Sequence, residues 1–261
     1  METLKDKLWV WGHLAGSHNA GYKNIRGSFM SSAEGVAYMG ARNVFMVAYQ
    51  GKPQPPFDKY SKELSGLKQI KYSIVGDCSS PEKPEQLGDI DEVIAQAKKY
   101  SNVTGGVFDD FFSEKRLKIY TPEVLRKMRG RLHNEKLDMW CVFYAHQLHL
   151  DEIKDGLAQF DGVSFWTWKQ SELKDFEANY SVFLGRTKNQ RRMLGCYLYD
   201  YGEDRPMDTC AAEFQLERYT RELKAGEAEG IVFCSNTVMD LNFEAVKFTR
   251  GWIEKYGNII I

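Results

Sequence analysis

Two adjacent carboxylates close the run Gly105-Gly106-Val107-Phe108-Asp109-Asp110-Phe111-Phe112. The run opens with small and apolar residues, as a buried strand does, and ends in the acid pair and two aromatic rings. A strand covered on both faces cannot hold an Asp in its middle without a large desolvation cost. The pair is therefore expected where the strand leaves the sheet. In a parallel α/β fold that edge is where ligands bind. Alternation sends neighbouring side chains to opposite faces, so one Asp is expected to aim into the mouth. Asp110 is the favoured one, with Asp109 orienting it or fixing a loop. A cap or an ion pair with a nearby Arg or Lys is the structural reading for one of the two.

A second carboxylate is expected from Asp200, between Tyr199 and Tyr201, which could supply hydrogen bonds and an apolar wall. Asp77 and Glu203 are reserves, and a loop-side salt bridge is the structural alternative for Asp200. Two carboxyls flanking a glycosidic bond, one of them kept protonated, are the parts glycoside hydrolysis needs. A separation of about 5–5.5 Å would imply retention and about 6.5–9.5 Å inversion.

The other residues expected at the mouth fit the same chemistry. They are Trp11, His13, Ser17, His18, Asn19, Tyr49, Gln50, Phe111, Phe112, Tyr144, His146, Gln147, Trp168, Lys169, Tyr197, Tyr199, Tyr201, Ser235 and Asn236. Rings stack on the C–H faces of sugars, while carboxylates, carboxamides and imidazoles bond the hydroxyls. A phosphate ligand would ask for Arg, Lys or glycine-rich helix N-termini, and neither Gly-x-Gly-x-x-Gly nor a Walker-type loop occurs. Trp166 and Trp168 lie two apart on one face. Trp168, nearer the rim, is expected to point inward, and Trp166 is left open between the mouth and the helices. His13, His18 and His146 with an Asp could also form a three-ligand zinc site, but their spacing matches no short metal motif. Hydroxyl binding is the preferred reading, with no metal or cofactor.

The elements that must position these residues follow a two-beat rhythm of short apolar run and longer amphipathic segment, the pattern of βα units. Strands are expected over Lys7–Leu14, Asn43–Gln50, Ile70–Val75, Val103–Asp109, Leu137–Ala145, Gly162–Trp168, Met193–Tyr199 and Gly230–Cys234. The intervening helices are expected over 32–42, 56–67, 89–100, 122–134, 150–160, 171–184, 208–225 and 242–256. Eight units in one chain of 261 residues predict a single-domain (β/α)8 TIM barrel over residues 1–261, with an open doubly wound sheet as the competitor. The loops 15–30, 51–56 and 79–88 are expected over the same rim.

Composition excludes other classes. A formal net charge of −1 leaves no electrostatic footprint for nucleic acid or an anionic membrane. No apolar run reaches the length of a membrane span. Met1 to Lys7 is polar and lacks a signal-peptide core, so a cytoplasmic chain is expected if it is complete, and an exported one if a leader was trimmed. The odd set of five cysteines, with no Cys-x-x-Cys, reads as free thiols, with Cys141, Cys196 and Cys234 buried in strands.

The segment Gly106-Val107-Phe108-Asp109-Asp110-Phe111-Phe112 resembles the fourth strand of some glycoside hydrolase-like TIM barrels, in which an apolar strand ends in Phe-Asp-Asp and an aromatic residue. The resemblance implies a carbohydrate-active barrel with the Asp pair in the sugar cleft and an oligosaccharide or glycoside as partner. It departs from the better-known families in lacking a clear Glu at a strand end. The residues leave two alternatives beside a glycosidase: a metal-dependent lyase, isomerase or hydrolase of a sugar or polyol, and a saccharide-binding barrel without catalysis.

Overall fold

The computed structural model describes residues 1–83, 85 and 87–261; Pro84 and Gln86, within the 79–88 loop, lie outside the described residues. Chain order gives β1 Leu8–Gly12, α1 Ser32–Met39, β2 Asn43–Met46, α2 Asp58–Glu63, β3 Gln69–Val75, α3 Ile90–Lys99 and β4 Val103–Phe108. Then come α4 Glu114–Ile119, α5 Pro122–Asn134, β5 Asp138–Tyr144, α6 Lys154–Leu157, β6 Gly162–Trp166, α7 Phe176–Arg186 and β7 Arg191–Tyr197. A two-stranded hairpin, β8 Tyr199–Asp200 with β9 Arg205–Pro206, precedes α8 Thr209–Ala225, β10 Gly230–Cys234, α9 Asn236–Met239 and α10 Glu244–Tyr256. Eight strands close in the order β1-β10-β7-β6-β5-β4-β3-β2, so the chain forms a (β/α)8 TIM barrel. β1, β2, β6 and β10 are buried at every position, as parallel strands covered on both faces must be.

Local signals start the helices where the sequence places them. Ser31 accepts the Glu34 amide while Glu34 returns to the Ser31 amide, a capping box. Thr121 caps α5 with Pro122 in its first turn. The expected helix at 150–160 instead breaks into a short 3-10 turn, Asp151–Ile153, and α6. The one at 171–184 opens as the 3-10 turn Gln170–Asp175 before α7. The short α4, α9 and the hairpin were not expected, because elements of a turn or two leave too few residues to show a period.

The contacts divide the chain into two compact units, residues 1–44, 166–177 and 192–261, and residues 45–165 and 178–191. In the first, β1 pairs with β10 and β10 with β7, both parallel. The rings of Trp11 on β1 and Trp166 on β6 meet at 5.4 Å. Two strands separate β1 from β6 in the barrel order, so both rings lie in the barrel interior. That places Trp166 inside. Trp166 lies flat over Gly195, where a Cβ would stand 2.0 Å from the ring, and Trp9 covers Gly230 in the same way at 2.9 Å. Gly195→Ala is therefore expected to cost about 1–3 kcal/mol through overpacking, read as a lowered urea midpoint, whereas the open-space change Gly251→Ala leaves the midpoint unchanged or slightly raised.

In the second unit, β4 pairs in parallel with β3 and β5. Trp140 covers Gly162, where a Cβ would stand 2.4 Å away. A register shift between Ile70 and Lys71 leaves Thr104 as a bulge. Beside it Lys71, fully buried, donates to Asp138 Oδ1 at 2.5 Å and to Thr104 Oγ1 at 3.1 Å. Arg191 donates to Asp138 Oδ2 at 2.8 Å. Both cations sit over the Trp140 ring, at 5.5 and 5.0 Å. These residues begin their strands, so the cluster lies at the barrel end opposite the mouth, where side chains serve stability. Gly105 is obligatory there, because a Cβ would meet Asp138 Oδ1 at 1.9 Å.

None of the five cysteines is in a disulfide; Cys141, Cys196 and Cys234 are buried and Cys78 and Cys210 exposed. Among the described residues no helix is long and apolar enough to cross a membrane.

Candidate active site

The acid pair belongs to the second unit. Phe108 packs on Tyr120 and Phe160, at 6.0 and 5.2 Å between ring centres, and so faces the helices. Alternation then turns Val107 and Asp109 toward the barrel interior. Asp109 is 5% exposed, and its amide still donates to Val75 O at 3.0 Å. Asp110 takes a left-handed turn, φ 44°, a conformation uncommon outside Gly, Asn and Asp, and donates its amide to Asp109 Oδ1 at 2.9 Å. Its half-buried carboxylate accepts the Tyr144 hydroxyl on Oδ1 at 2.8 Å and the Cys78 amide on Oδ2 at 3.1 Å. Phe111 and Phe112, expected at the mouth, instead pack against Phe160, because the chain has already turned at Asp110.

The expected cation beside the pair is present as Arg116 of α4, 2% exposed, but it does not neutralise either acid by direct bonding. Its guanidinium bonds the main-chain oxygens of Asp109 at 2.5 Å, Asp110 at 3.1 Å and Asp77 at 2.7 Å, and the Glu82 carboxylate at 2.7 Å. It thus shapes the loop and leaves the carboxyls to point elsewhere. No motif marks Arg116 in the sequence. Its role comes from the loop folding back on it. Asp77 is taken up by two loops, accepting from the Gln50 amide of the loop after β2 at 3.0 Å and, within its own loop, from Ser80 Oγ at 2.5 Å and Ser79 Oγ.

Burial, then the charges of Asp110 and Asp77, push the Asp109 carboxyl well above the usual range, and Arg116 opposes this only in part. A raised folded value means that the native state binds the extra proton. Stability from this group is then fully present below about pH 4, the ordinary Asp value, and is lost as pH rises through the folded value. The slope is at most about 1.4 kcal/mol per pH unit. Asp109→Asn, neutral at every pH, is expected to remove this slope. The difference between the urea-unfolding curves of variant and wild type should grow in the variant's favour from pH 4 upward. A flat difference would contradict the buried, protonated Asp109.

Tyr144 is nearly buried, with the exposed His146 ring stacked on it at 5.2 Å and 12° and Gln147 Oε1 accepting its amide. Tyr49 sits half-buried where its main chain pairs with Lys52.

The first unit carries the aromatic and histidine residues. His13 and His18 are buried, their rings 4.5 Å apart, and burial with the charge of His18 pushes His13 well below the usual imidazole value. A hydrogen-bonded chain runs from Tyr201 Oη to Ser235 Oγ at 3.3 Å, on to Thr237 Oγ1 at 2.6 Å, and to His18 Nδ1 at 2.7 Å. Trp168, half-exposed, stacks on Tyr201 at 6.2 Å and 27° and meets Tyr197 edge-on. Trp11 lies deeper, 5% exposed.

Three expected site residues, Asp200, Asn236 and Asn19, are occupied with holding the backbone. Asp200 is wholly buried, and its oxygens accept the Gln170 and Glu203 amides, each at 2.8 Å. The hydrogen bonds expected from its tyrosine neighbours go elsewhere: Tyr199 donates to Asp204 at 2.6 Å and Tyr201 bonds Ser235. Tyr199 itself is buried against Phe243. Asn236 receives the His13 amide and donates to His13 O and Met30 O. Asn19 closes the 15–30 loop by a two-way pair with Ser28. Among the described residues no three His, Cys, Asp or Glu side chains group so as to hold a metal ion. The zinc reading therefore lacks its ligand set.

In fold, then, the chain is a (β/α)8 TIM barrel with an acid pair at the exit of β4. The sequence matches no family model and no curated protein sequence. The likeness is to solved structures. One is the GH18 chitinase ChiB of Flavobacterium johnsoniae, at 10% identity and TM-score 0.61 over 94% of this chain and 93% of that one. Another is a putative alpha-L-fucosidase of Bacteroides thetaiotaomicron, at 11% identity and TM-score 0.60 over 99% and 98%. A third is a xylanase and amylase inhibitor protein, at 10% identity and TM-score 0.59 over 97% and 100%. At such identities the likeness is one of fold.

Proposed function

We propose that this protein is a carbohydrate-active barrel, a glycoside hydrolase, whose proton chemistry is carried by Asp109 and Asp110. The observation that carries the reading is the pair itself: a carboxyl that burial pushes well above the usual range, beside a half-buried Asp whose oxygens accept two hydrogen bonds, at the strand exit where barrels of this fold keep their active sites. Neighbouring carboxyls on one loop suit the exceptional mode of hydrolysis in which the substrate assists. A 2-acetamido oxygen of the sugar attacks C1 as the glycosidic bond breaks. The proton of the pair goes to the departing oxygen, and the remaining carboxylate polarises the acetamido N–H. Water then attacks C1, the bond between C1 and the acetamido oxygen breaks to restore the acetamido group, and the water's proton returns to the pair, with overall retention. Tyr144 and His146, in the same unit as the pair, are the ring surfaces proposed for sugar contact. The chitinases among the solved structures of like fold support a 2-acetamido sugar as the first class to try.

The test is a screen of aryl glycosides and glycans with and without the 2-acetamido group, run on wild type, Asp109→Asn and Asp110→Asn side by side. Cleavage restricted to 2-acetamido substrates, with retention seen by NMR of the product anomers, is the expected result. Inversion, or equal cleavage of 2-hydroxy substrates, would exclude substrate assistance. The second reading, a saccharide-binding barrel without catalysis, draws on the bonds that already occupy both Asp110 oxygens and on the inhibitor protein of like fold. It predicts heat of saccharide binding by calorimetry and no product from any glycan.

A further inference from the structure

We propose that Tyr144 is a positioning residue of the acid pair, whose hydroxyl, together with the Cys78 amide, holds Asp110 as the charged member and leaves the proton on Asp109. The inference deepens the assignment of the pair under Proposed function and rests on it for its catalytic meaning. It departs from a plain sugar-contact role for Tyr144.

The geometry is specific. The Tyr144 hydroxyl can donate one hydrogen bond, and the acceptor 2.8 Å away is Asp110 Oδ1. The other oxygen, Oδ2, faces the Cys78 amide at 3.1 Å, a donor with no acceptor capacity. Two donors, one on each oxygen, favour the ionised form of a carboxyl. Asp109 has the opposite setting. It is 5% exposed, and its Oδ1 accepts the Asp110 amide at 2.9 Å. The guanidinium nearest both residues, that of Arg116, bonds their main-chain oxygens. The two donors thus fix the Asp110 carboxyl, while burial raises that of Asp109.

The donor is itself held. Gln147 Oε1 accepts the Tyr144 amide at 3.0 Å, fixing the strand exit, and the exposed His146 ring lies parallel on the Tyr144 ring at 5.2 Å. The titratable and charged groups facing Asp110 are Asp109 on its own loop, Asp77 and Cys78 on the loop after β3, Arg116 on α4, and Tyr144 with His146 at the end of β5. The Cys78 thiol is pushed up to about 11 by burial and then by the Asp110 charge, and it stays neutral across the working range. Asp77 is bonded by Ser80 of its own loop and the Gln50 amide of the loop after β2. The neutral Cys78 thiol also bonds Asp110, as a weak donor, so Tyr144 is the strong neutral side-chain donor that can be removed without touching a charge.

The experiment needs no substrate. Carboxyl carbons of 13C-labelled aspartate are followed by NMR against pH in wild type, Tyr144→Phe and the control Gly130→Ala, an open-space position on α5. In Tyr144→Phe the Asp110 midpoint is expected to move upward by about one pH unit, with the Asp109 midpoint moving down as the proton redistributes across the coupled pair. Gly130→Ala leaves both midpoints in place. An unmoved Asp110 midpoint in folded Tyr144→Phe overturns the proposal. Should Tyr144→Phe fail to fold, wild-type chain grown with 3-fluorotyrosine, a stronger donor, must shift the Asp110 midpoint downward, and no shift overturns it equally. On whichever glycoside the screen finds, the acid limb of kcat/KM follows the Asp110 midpoint. A moved midpoint with no hydrolysis of any glycan would sink the hydrolase reading and leave the positioning role standing.

Discussion

Asp110→Asn is expected to lower turnover of a cleavable glycoside by about 10²–10⁴-fold, the share general acid–base catalysis contributes, while the protein stays folded. Asn keeps the shape of Asp and retains an oxygen to accept from Tyr144 or the Cys78 amide, so the local loop has little reason to rearrange. It can neither carry the charge nor exchange a proton. The contrast is Asp200→Asn. That residue is wholly buried with both oxygens on main-chain amides, and losing one charge-assisted bond there is expected to cost about 1–3 kcal/mol of stability with kcat little changed in the folded fraction. Initial rates paired with urea midpoints for both variants separate the two effects. Full turnover in purified Asp110→Asn would remove Asp110 from the chemistry, and a collapse of kcat in stably folded Asp200→Asn would restore the wider-spaced pair the sequence suggested.

The largest stability effect is expected at the other end of the barrel. Asp138 bridges Lys71 and Arg191, at 2.5 and 2.8 Å, and Lys71 has no exposed surface. Asp138→Ala leaves that ammonium buried without its counter-charge, which costs about 3–5 kcal/mol. Lys71→Met should cost less, because an apolar chain of similar length fills the same space over Trp140 and Asp138 keeps Arg191. Urea denaturation of the two variants checks the order. Asp138→Ala within about 1 kcal/mol of wild type would mean that the buried lysine finds other solvation, contrary to the desolvation argument.

The two ends of the barrel differ in how legible they were. The strand and helix rhythm was readable because parallel strands covered on both faces must be continuous apolar runs, and β4 ended at the acid pair for the same reason. The Ser31 and Thr121 caps and Pro122 marked helix starts through bonds made within a few residues. Lys71 was not legible as an interior residue. It is a single charge in an apolar run, and only the bulge at Thr104 and the distant Asp138 and Arg191 make its burial tolerable. Phe111 and Phe112 were misread as mouth residues because the left-handed turn at Asp110 leaves no sign in the alternation.

The sequence by itself therefore determined the barrel and the position of the Asp109–Asp110 pair at a strand exit, since desolvation and periodicity act on residues near in sequence. Tertiary structure alone decided which acid is buried and which is reached by Tyr144, and that Asp200, Asn236 and Asn19 spend their polar atoms on backbone. Those outcomes depend on donors many residues away, and a hydrogen bond is assigned by distance in space.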